Sequence, residues 1–595
     1  MILGGEIHFI VLKSYSVTLI ILFTFLAGCG RPDKSQTLSV SVNKLSKIGP
    51  DNSKTAADKP PQESNSTAAN EFSKNGFEFL PEPINSAGTS LNLLDPNNSI
   101  FSKYDSPAPR IRMFSKSEII ANVLNLTDKT LDISKARLEN IENSLTPLAK
   151  SLRIQDSMAL RSLAESLVKS VSEMNTDKIF KCKSGDKQCV KLSIESFLMR
   201  AFRGPVAEKD VLRAVQLFEN IAAKKGDALA FKVVAQEALL SPRFLYLIEQ
   251  KEDESSTQLN SWQIASRMSY FIAGIPPDDE LLDLAKKGAL SDASVRQKQT
   301  LRLLQSPAAV LRASLMIQAW LGLERPALER KGIDAEESLL LESDMRKEFT
   351  SIVKKVLFTD KAHFQDIFTS DYSEMNARIA KIYNMPGVSG DAFQPVKLSA
   401  VEYRSGILTT PLVLSSYSKD KGRSPIQRGF MIASPLLCQQ MPQKAGAISA
   451  LLPAHLRELK SKREQFAGLE TMLPCAHCHK ILNSGFAFDR FDPIGRAYSV
   501  TEIPNSELVT SYRAAKETGF KFSGPIDAAR KLAGTEQSRK CFTSRIFEFL
   551  ESRTPGPGDE IYFEELWQNF KSSEFVYTDF IQKIVSAESF IKFKK

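Results

Sequence analysis

No stretch of this 595-residue chain carries five or six consecutive basic side chains, which removes the usual footprint of a nucleic-acid binder. The balance of 78 Lys and Arg against 69 Asp and Glu gives +9, mild for this length and mostly solvated surface. No Ser/His/Asp arrangement and no phosphate-binding loop stands out, so neither acyl transfer nor phosphoryl transfer is indicated. No short repeat marks a solenoid. Strand-like alternation is scarce, residues 499–509 being the best short candidate. Outside residues 17–26 no apolar stretch approaches the length of a membrane span. Histidine and cysteine are rare, with 5 and 7 copies.

Against that scarcity stands Cys475-Ala476-His477-Cys478-His479, which has the Cys-x-x-Cys-His form of a c-type haem attachment site. At these residue frequencies the pattern arises by chance roughly once in a thousand such chains. Each residue has its own task. The two thiols add to the haem vinyl groups from one face of a helical turn. His479 then offers its imidazole as the proximal iron ligand.

At the N-terminus, Lys13 precedes the apolar residues 17–26, and Leu26-Ala27-Gly28-Cys29 follows. The segment is too short to span a bilayer and ends in small residues, as an export signal does. A Cys after Leu-Ala-Gly resembles the bacterial lipoprotein signal. Residues 1–28 are thus expected to be removed, and Cys29 to be acylated as a membrane anchor. Gly30 rather than Asp favours the outer membrane, with the protein facing the periplasm. Residues 29–106 are rich in Ser, Asn, Lys and Pro and show no apolar periodicity, as in a flexible tether.

Beyond Met113 apolar residues recur at helical spacing. Ile119, Ile120, Val123 and Leu124 form one stripe, Leu160, Leu163, Leu167 and Val171 another, and Ile264, Met268, Phe271 and Ile272 a third. The fold class expected is mainly α, a multidomain helical array with a small haem-bearing module near the C-terminus.

Several segments resemble, in order, a family of multidomain exported bacterial proteins of unknown function from planctomycetes and myxobacteria, the DUF1587–DUF1595–DUF1592–DUF1588–DUF1585 array. Met113-Phe114-Ser115-Lys116-Ser117-Glu118 is similar to the first module and Phe197-Leu198-Met199-Arg200-Ala201-Phe202-Arg203-Gly204-Pro205 to the second. Ser241-Pro242-Arg243-Phe244, Pro276-Pro277-Asp278-Asp279-Glu280-Leu281 and Gln318-Ala319-Trp320-Leu321-Gly322 mark the third. Gly406-Ile407-Leu408-Thr409, Arg428-Gly429, the haem motif and Asp492-Pro493-Ile494-Gly495-Arg496 mark the fourth. Ser586-Ala587-Glu588-Ser589-Phe590 closes the fifth. The resemblance implies helical modules at 107–178, 179–250, 251–388, 389–505 and 506–595. It implies a c-type haem in the fourth but no established activity. Relatives usually carry His where Leu469 stands and Glu where Asp489 stands, so His/His ligation through position 469 is absent here.

An exported chain can keep disulfides. Cys182 and Cys189 flank a turn-rich loop that one bridge closes. With Cys29 lipidated and Cys475 and Cys478 on haem, Cys438 and Cys541 are the remaining pair. No Met or His follows His479, so a sixth iron ligand must come from upstream. Met431, Met441, His455 and Met472 are available, and Met441 is the preferred distal candidate. Gly485 is read as a left-handed exit from the haem helix. Phe486, Phe488 and Phe491 are candidates to cover the porphyrin or to form a plain core. Asp489, Asp492 and Arg496 either pair with one another or meet the haem propionates.

The leading functional reading is a tethered lipoprotein with one covalent haem c, exchanging electrons with a redox partner protein. Two others stay open. Cys475 and Cys478 have the spacing of a thiol oxidoreductase, and zinc would be held by Cys475, Cys478 and His, completed by Cys438 and Cys541. The upstream helices would then serve as a binding scaffold.

Overall fold

Helix starts are written into the local sequence. Ser115 and Glu118 form a reciprocal cap, the Glu118 N–H reaching Ser115 Oγ at 3.4 Å and the Ser115 N–H reaching Glu118 Oε2 at 2.8 Å. That cap opens helix α1 (Lys116–Thr127), directly after strand β1 (Arg110–Met113). A computed structural model of the chain describes residues 110–127, 154–253, 255–323, 326–439, 453–473, 475–513 and 519–593. The export signal, Cys29, the tether and Met441 lie outside the described residues.

Helices α2 (Ile154–Ser172), α3 (Lys187–Phe202), α4 (Glu208–Lys225) and α5 (Asp227–Leu239) pack with α1 around Phe114, Leu163, Leu167, Val171, Phe197 and Phe231. Strand β2 (Tyr246–Glu249) pairs antiparallel with β1, Arg110 opposite Glu249 and Met113 opposite Tyr246. One ladder therefore closes the first two modules over a single core. Glu118 sits at its edge, fully buried. Burial alone would raise its pKa, but Arg112 at 2.6 Å and Arg312 at 3.4 Å hold it down to about 2.

A second core runs from Leu259 to Ile591 and draws on elements from both ends of that stretch. Helix α6 (Ser261–Ile272) starts on an Asn260–Gln263 capping box and buries Ile264, Met268, Phe271 and Ile272. Arg296 of α7 (Ala293–Leu304) donates its Nε to Val585 O and its Nη2 to Ser586 O, both at 2.8 Å. This caps the C-terminal end of α14 (Tyr577–Ser586), where a cation meets the negative end of the helix dipole. Trp320, at the end of α8 (Pro307–Trp320), lies 5.6 Å from Phe364 and 5.2 Å from Phe542 of α13 (Glu536–Glu551), between ring centroids. Helix α9 (Ala335–Val353) runs beside the hairpin of β3 (Tyr372–Met375) and β4 (Gln394–Lys397).

Disulfides join Cys182 to Cys189 and Cys438 to Cys541. The second spans 103 residues, and closing a loop of that size removes about 4–5 kcal/mol of unfolded-chain freedom. Cys438 takes a positive φ of 47° to reach its partner on α13.

The fold is mainly α, as the helical spacing predicts, and the described strands form three two-stranded sheets. The strand expected at 499–509 is a correction. Ser499 places its N–H and Oγ on the Glu502 carboxylate (2.8 and 2.7 Å), which turns the backbone, and Asn505–Leu508 is a 3-10 helix. The strand begins only at β5 (Thr510–Tyr512), which pairs with β6 (Phe520–Phe522). No helix among the described residues is long and apolar enough to cross a membrane.

Candidate functional site

Two backbone segments cross at the centre of the fourth module. Helix α10 (Pro425–Met431) passes over the Cys-x-x-Cys-His helix α12 (Cys475–Leu482) and the 3-10 turn Asn483–Phe488 that follows it. The crossing admits no side chain. A Cβ on Gly485 would lie 1.9 Å from Pro425 O, and one on Gly429 would lie 1.8 Å from Leu482 O. Gly485 has no positive φ. The left-handed exit expected there is therefore corrected: close backbone approach, not handedness, demands this glycine.

On α12 the three-residue step from Cys475 to Cys478 places both thiols on one side, half-buried and unbridged, while the four other described cysteines are oxidised. Burial, and then the neighbouring Cys475, push the Cys478 thiol above its ordinary pKa. His479 Nδ1 lies 3.0 Å from Asn483 Oδ1, one helical turn on. Asn483 is itself fully buried and fixed, donating Nδ2 to Phe466 O and to Glu470 Oε1, each at 2.8 Å. With the amide oxygen so oriented, Nδ1 of His479 is the donor, which leaves Nε2 as the lone-pair nitrogen. Phe466, on α11 (Lys462–Gly468), stands 5.6 Å from the His479 ring and 5.8 Å from Phe486.

The residues after the motif are drawn inward. Phe486, Phe488 and Phe491 are fully buried, the last two inside the second core, so they act as core rather than as an exposed cover. Asp489 is buried against Arg423 at 2.5 Å and Arg428 at 3.9 Å. Burial raises its pKa despite those two cations, and burial likewise lowers Arg428 to about 10 despite Asp489. Arg428 also donates to Phe488 O and Phe491 O (both 2.8 Å) and to Asp492 O at 3.0 Å, gathering three carbonyls of the turn. Asp492 accepts the N–H groups of Ile494 and Arg496 and pairs with Arg496 Nε at 2.7 Å. This Asp-Pro-Ile-Gly-Arg turn contains Gly495 at φ 95°. Asp489 and Asp492 are therefore paired within the protein, whereas Arg496 engages only its Nε and its side chain is 61% exposed.

The upstream ligand candidates separate. Met431 is buried in the core, His455 is exposed, and Met472 gives its carbonyl to the Ala476 N–H at the start of α12. Asn483, Arg423 and Arg428 are absent from the sequence-based site. Asn483 carries one readable sign, a polar residue four places after His479 on the same helical face. Arg428 is marked only as part of the Arg428-Gly429 module motif and nothing local marks Arg423; both act from about sixty residues upstream.

Among the described residues no group of three or more His, Cys, Asp and Glu is arranged to hold a metal ion. The bridge between Cys438 and Cys541 removes the two thiols that a zinc site would have borrowed.

Fold and site define a helical multidomain protein with a docked Cys-x-x-Cys-His helix in its disulfide-tied C-terminal half. The chain belongs to a multidomain family of unknown function: residues 189–249, 259–385 and 404–500 match, in that order, the models described as proteins of unknown function DUF1595, DUF1592 and DUF1588. The Cys475–His479 motif falls within the last of these spans. No curated protein and no solved structure matches the chain.

Proposed function

We propose that the protein is an exported, lipid-anchored carrier of one covalent haem c that passes electrons to a partner protein in the cell envelope. The observation that supports it most is the His479–Asn483 pair. A proximal ligand needs one nitrogen tied by an outer-shell acceptor and the other presented with its lone pair, and a buried amide anchored at both ends supplies that tie. Cys475 and Cys478 would hold the group, and His479 would bind its iron. When bound, the haem would supply reversible one-electron chemistry. The chain's own residues orient the imidazole, hold both thiols half-buried on one side of α12, and lock the helix against α10. Two disulfides fit an oxidising compartment. The lipid anchor at Cys29 and the outer-membrane address rest on the Leu-Ala-Gly-Cys signal.

The test is expression with a cytochrome c maturation system, followed by visible spectroscopy and intact mass. One added haem that survives denaturing electrophoresis is the expected result. Asn483→Ala should keep the covalent haem but broaden or shift the Soret band, because the imidazole loses its orienting acceptor; such losses typically cost about 10–100-fold in metal affinity. A matured protein with no haem absorbance and stoichiometric zinc would refute the reading.

A further inference from the structure

Behind the His479 imidazole the hydrogen bonds do not stop at Asn483. The Asn483 Nδ2 reaches Glu470 Oε1 at 2.8 Å, and the same carboxylate oxygen accepts from Arg463 Nη1 at 3.4 Å. Imidazole, amide, carboxylate and guanidinium thus form one line, His479–Asn483–Glu470–Arg463. Its members come from α12, the 3-10 turn after it, the turn after α11, and α11 itself. Both charged ends are held in place. The side chains of Arg463 and Glu470 are each 17% exposed, so water screens their charges less than it would on the open surface. The Glu470 N–H donates to Ala467 O at 3.0 Å, which folds the residue back onto α11. Arg463 also donates its Nε to Val509 O at 3.2 Å and lies over the Phe486 ring, 5.3 Å from its centroid.

From this line we infer that Glu470 and Arg463 set the reduction potential of the iron bound by His479, the carboxylate lowering it and the guanidinium raising it. This rests on the haem reading of the same site. The cause is electronic. A carboxylate that accepts from the Asn483 amide pushes charge toward the amide oxygen, which then accepts more strongly from His479 Nδ1–H. The imidazole becomes a stronger donor at Nε2, and a stronger donor favours ferric over ferrous iron. The step concerned is the gain of one electron by the iron, and no bond in the line is made or broken. Arg463 shares the Glu470 oxygen and offsets part of its charge. Both residues act through Asn483 and are positioning residues.

The test measures the midpoint potential of the full chain matured with haem, by spectroelectrochemical titration. Glu470→Gln keeps an oxygen for the Asn483 amide and removes only the charge. It should favour the ferrous state about threefold, a rise of about 30 mV for one electron. Arg463→Gln should move the potential the opposite way by a similar factor. Glu464→Gln removes an exposed carboxylate from the same helix outside the line and should give less than half the Glu470→Gln shift. The opposite signs are decisive, because a merely loosened site would move both variants in one direction. A second measurement needs no haem. In the full chain expressed without maturation factors, nitrogen NMR of labelled histidine should find the His479 proton on Nδ1, the resonance being assigned by its loss in His479→Gln. Glu470→Gln should raise the Nε2–H fraction about threefold. Should either variant fail to take up haem, this tautomer fraction decides, and an unchanged fraction would overturn the inference. With haem bound, unmoved potentials or shifts of one sign in Glu470→Gln and Arg463→Gln would overturn it while the haem reading stands. A matured wild-type chain without haem would fell both.

Discussion

Gly485→Ala is expected to unseat the haem-motif helix and cost about 4 kcal/mol or more, a size reserved for a few severe mechanisms. The new methyl group would sit 1.9 Å from Pro425 O and 2.1 Å from Gly429 N. Both obstacles are backbone, so no side-chain rotation relieves them. Helix α10 would have to lift from the Asn483–Phe488 turn. That lift would strip Arg428 from Phe488 O, Phe491 O and Asp492 O, leaving the first two carbonyls without a partner and the buried guanidinium short of its acceptors. Gly429→Ala should behave alike, since its methyl would meet Leu482 O at 1.8 Å. Gly534→Ala is the control: it sits at a helix end with φ −75°, and its nearest neighbours would be 3.6 Å away. Urea unfolding of the three variants checks this. Equal midpoints for Gly485→Ala and Gly534→Ala would mean that the two segments do not cross this closely.

The same glycine shows what a sequence can and cannot carry. That position 485 needs glycine is legible from its place after a helix. The reason is not, because the atoms that forbid a Cβ come from residues 425 and 429. Short-range features read well: the 3.6-residue stripes through Val123, Leu167 and Met268 mark buried faces, although Leu124, read into the first stripe, is 45% exposed. Long-range chemistry does not. Asp489, judged against nearby Asp492 and Arg496, finds its partners in Arg423 and Arg428 across a loop closed by tertiary packing. The misplaced strand at 499–509 has a related cause, since a Ser-x-x-Glu turn and an alternating strand look alike until a partner strand is present. The module order suggests separate bodies, but Trp320, Phe364 and Phe542 belong to one core, which only three-dimensional contact reveals.

Ionisation of the Glu348 carboxyl should lower the stability of this second core as pH rises from about 4.5 to about 7. Glu348, on α9, is fully buried. Its Oε1 accepts from the Tyr383 hydroxyl and from Ser373 Oγ at 3.3 Å, and its Oε2 is buried without a partner. Arg404 lies over the Tyr383 ring, 4.1 Å from its centroid. Burial dominates over these favourable contacts and raises the Glu348 pKa from 4.5 to about 7. A carboxyl whose pKa is raised by folding adds its stability in full below the unfolded value. The unfolded chain then releases the proton first, and the contribution is lost as pH climbs through the folded value. The loss amounts to about 3 kcal/mol between those limits. Glu118 works in the opposite sense and in a lower window, its contribution fading as pH falls from 4.5 toward about 2, so the two do not overlap. Glu348→Gln, which cannot ionise, should flatten the profile between pH 4.5 and 7 whatever its absolute stability. Urea unfolding of both proteins at pH 4.5, 6 and 8 measures the difference; parallel profiles would mean that Glu348 is already ionised in the folded protein.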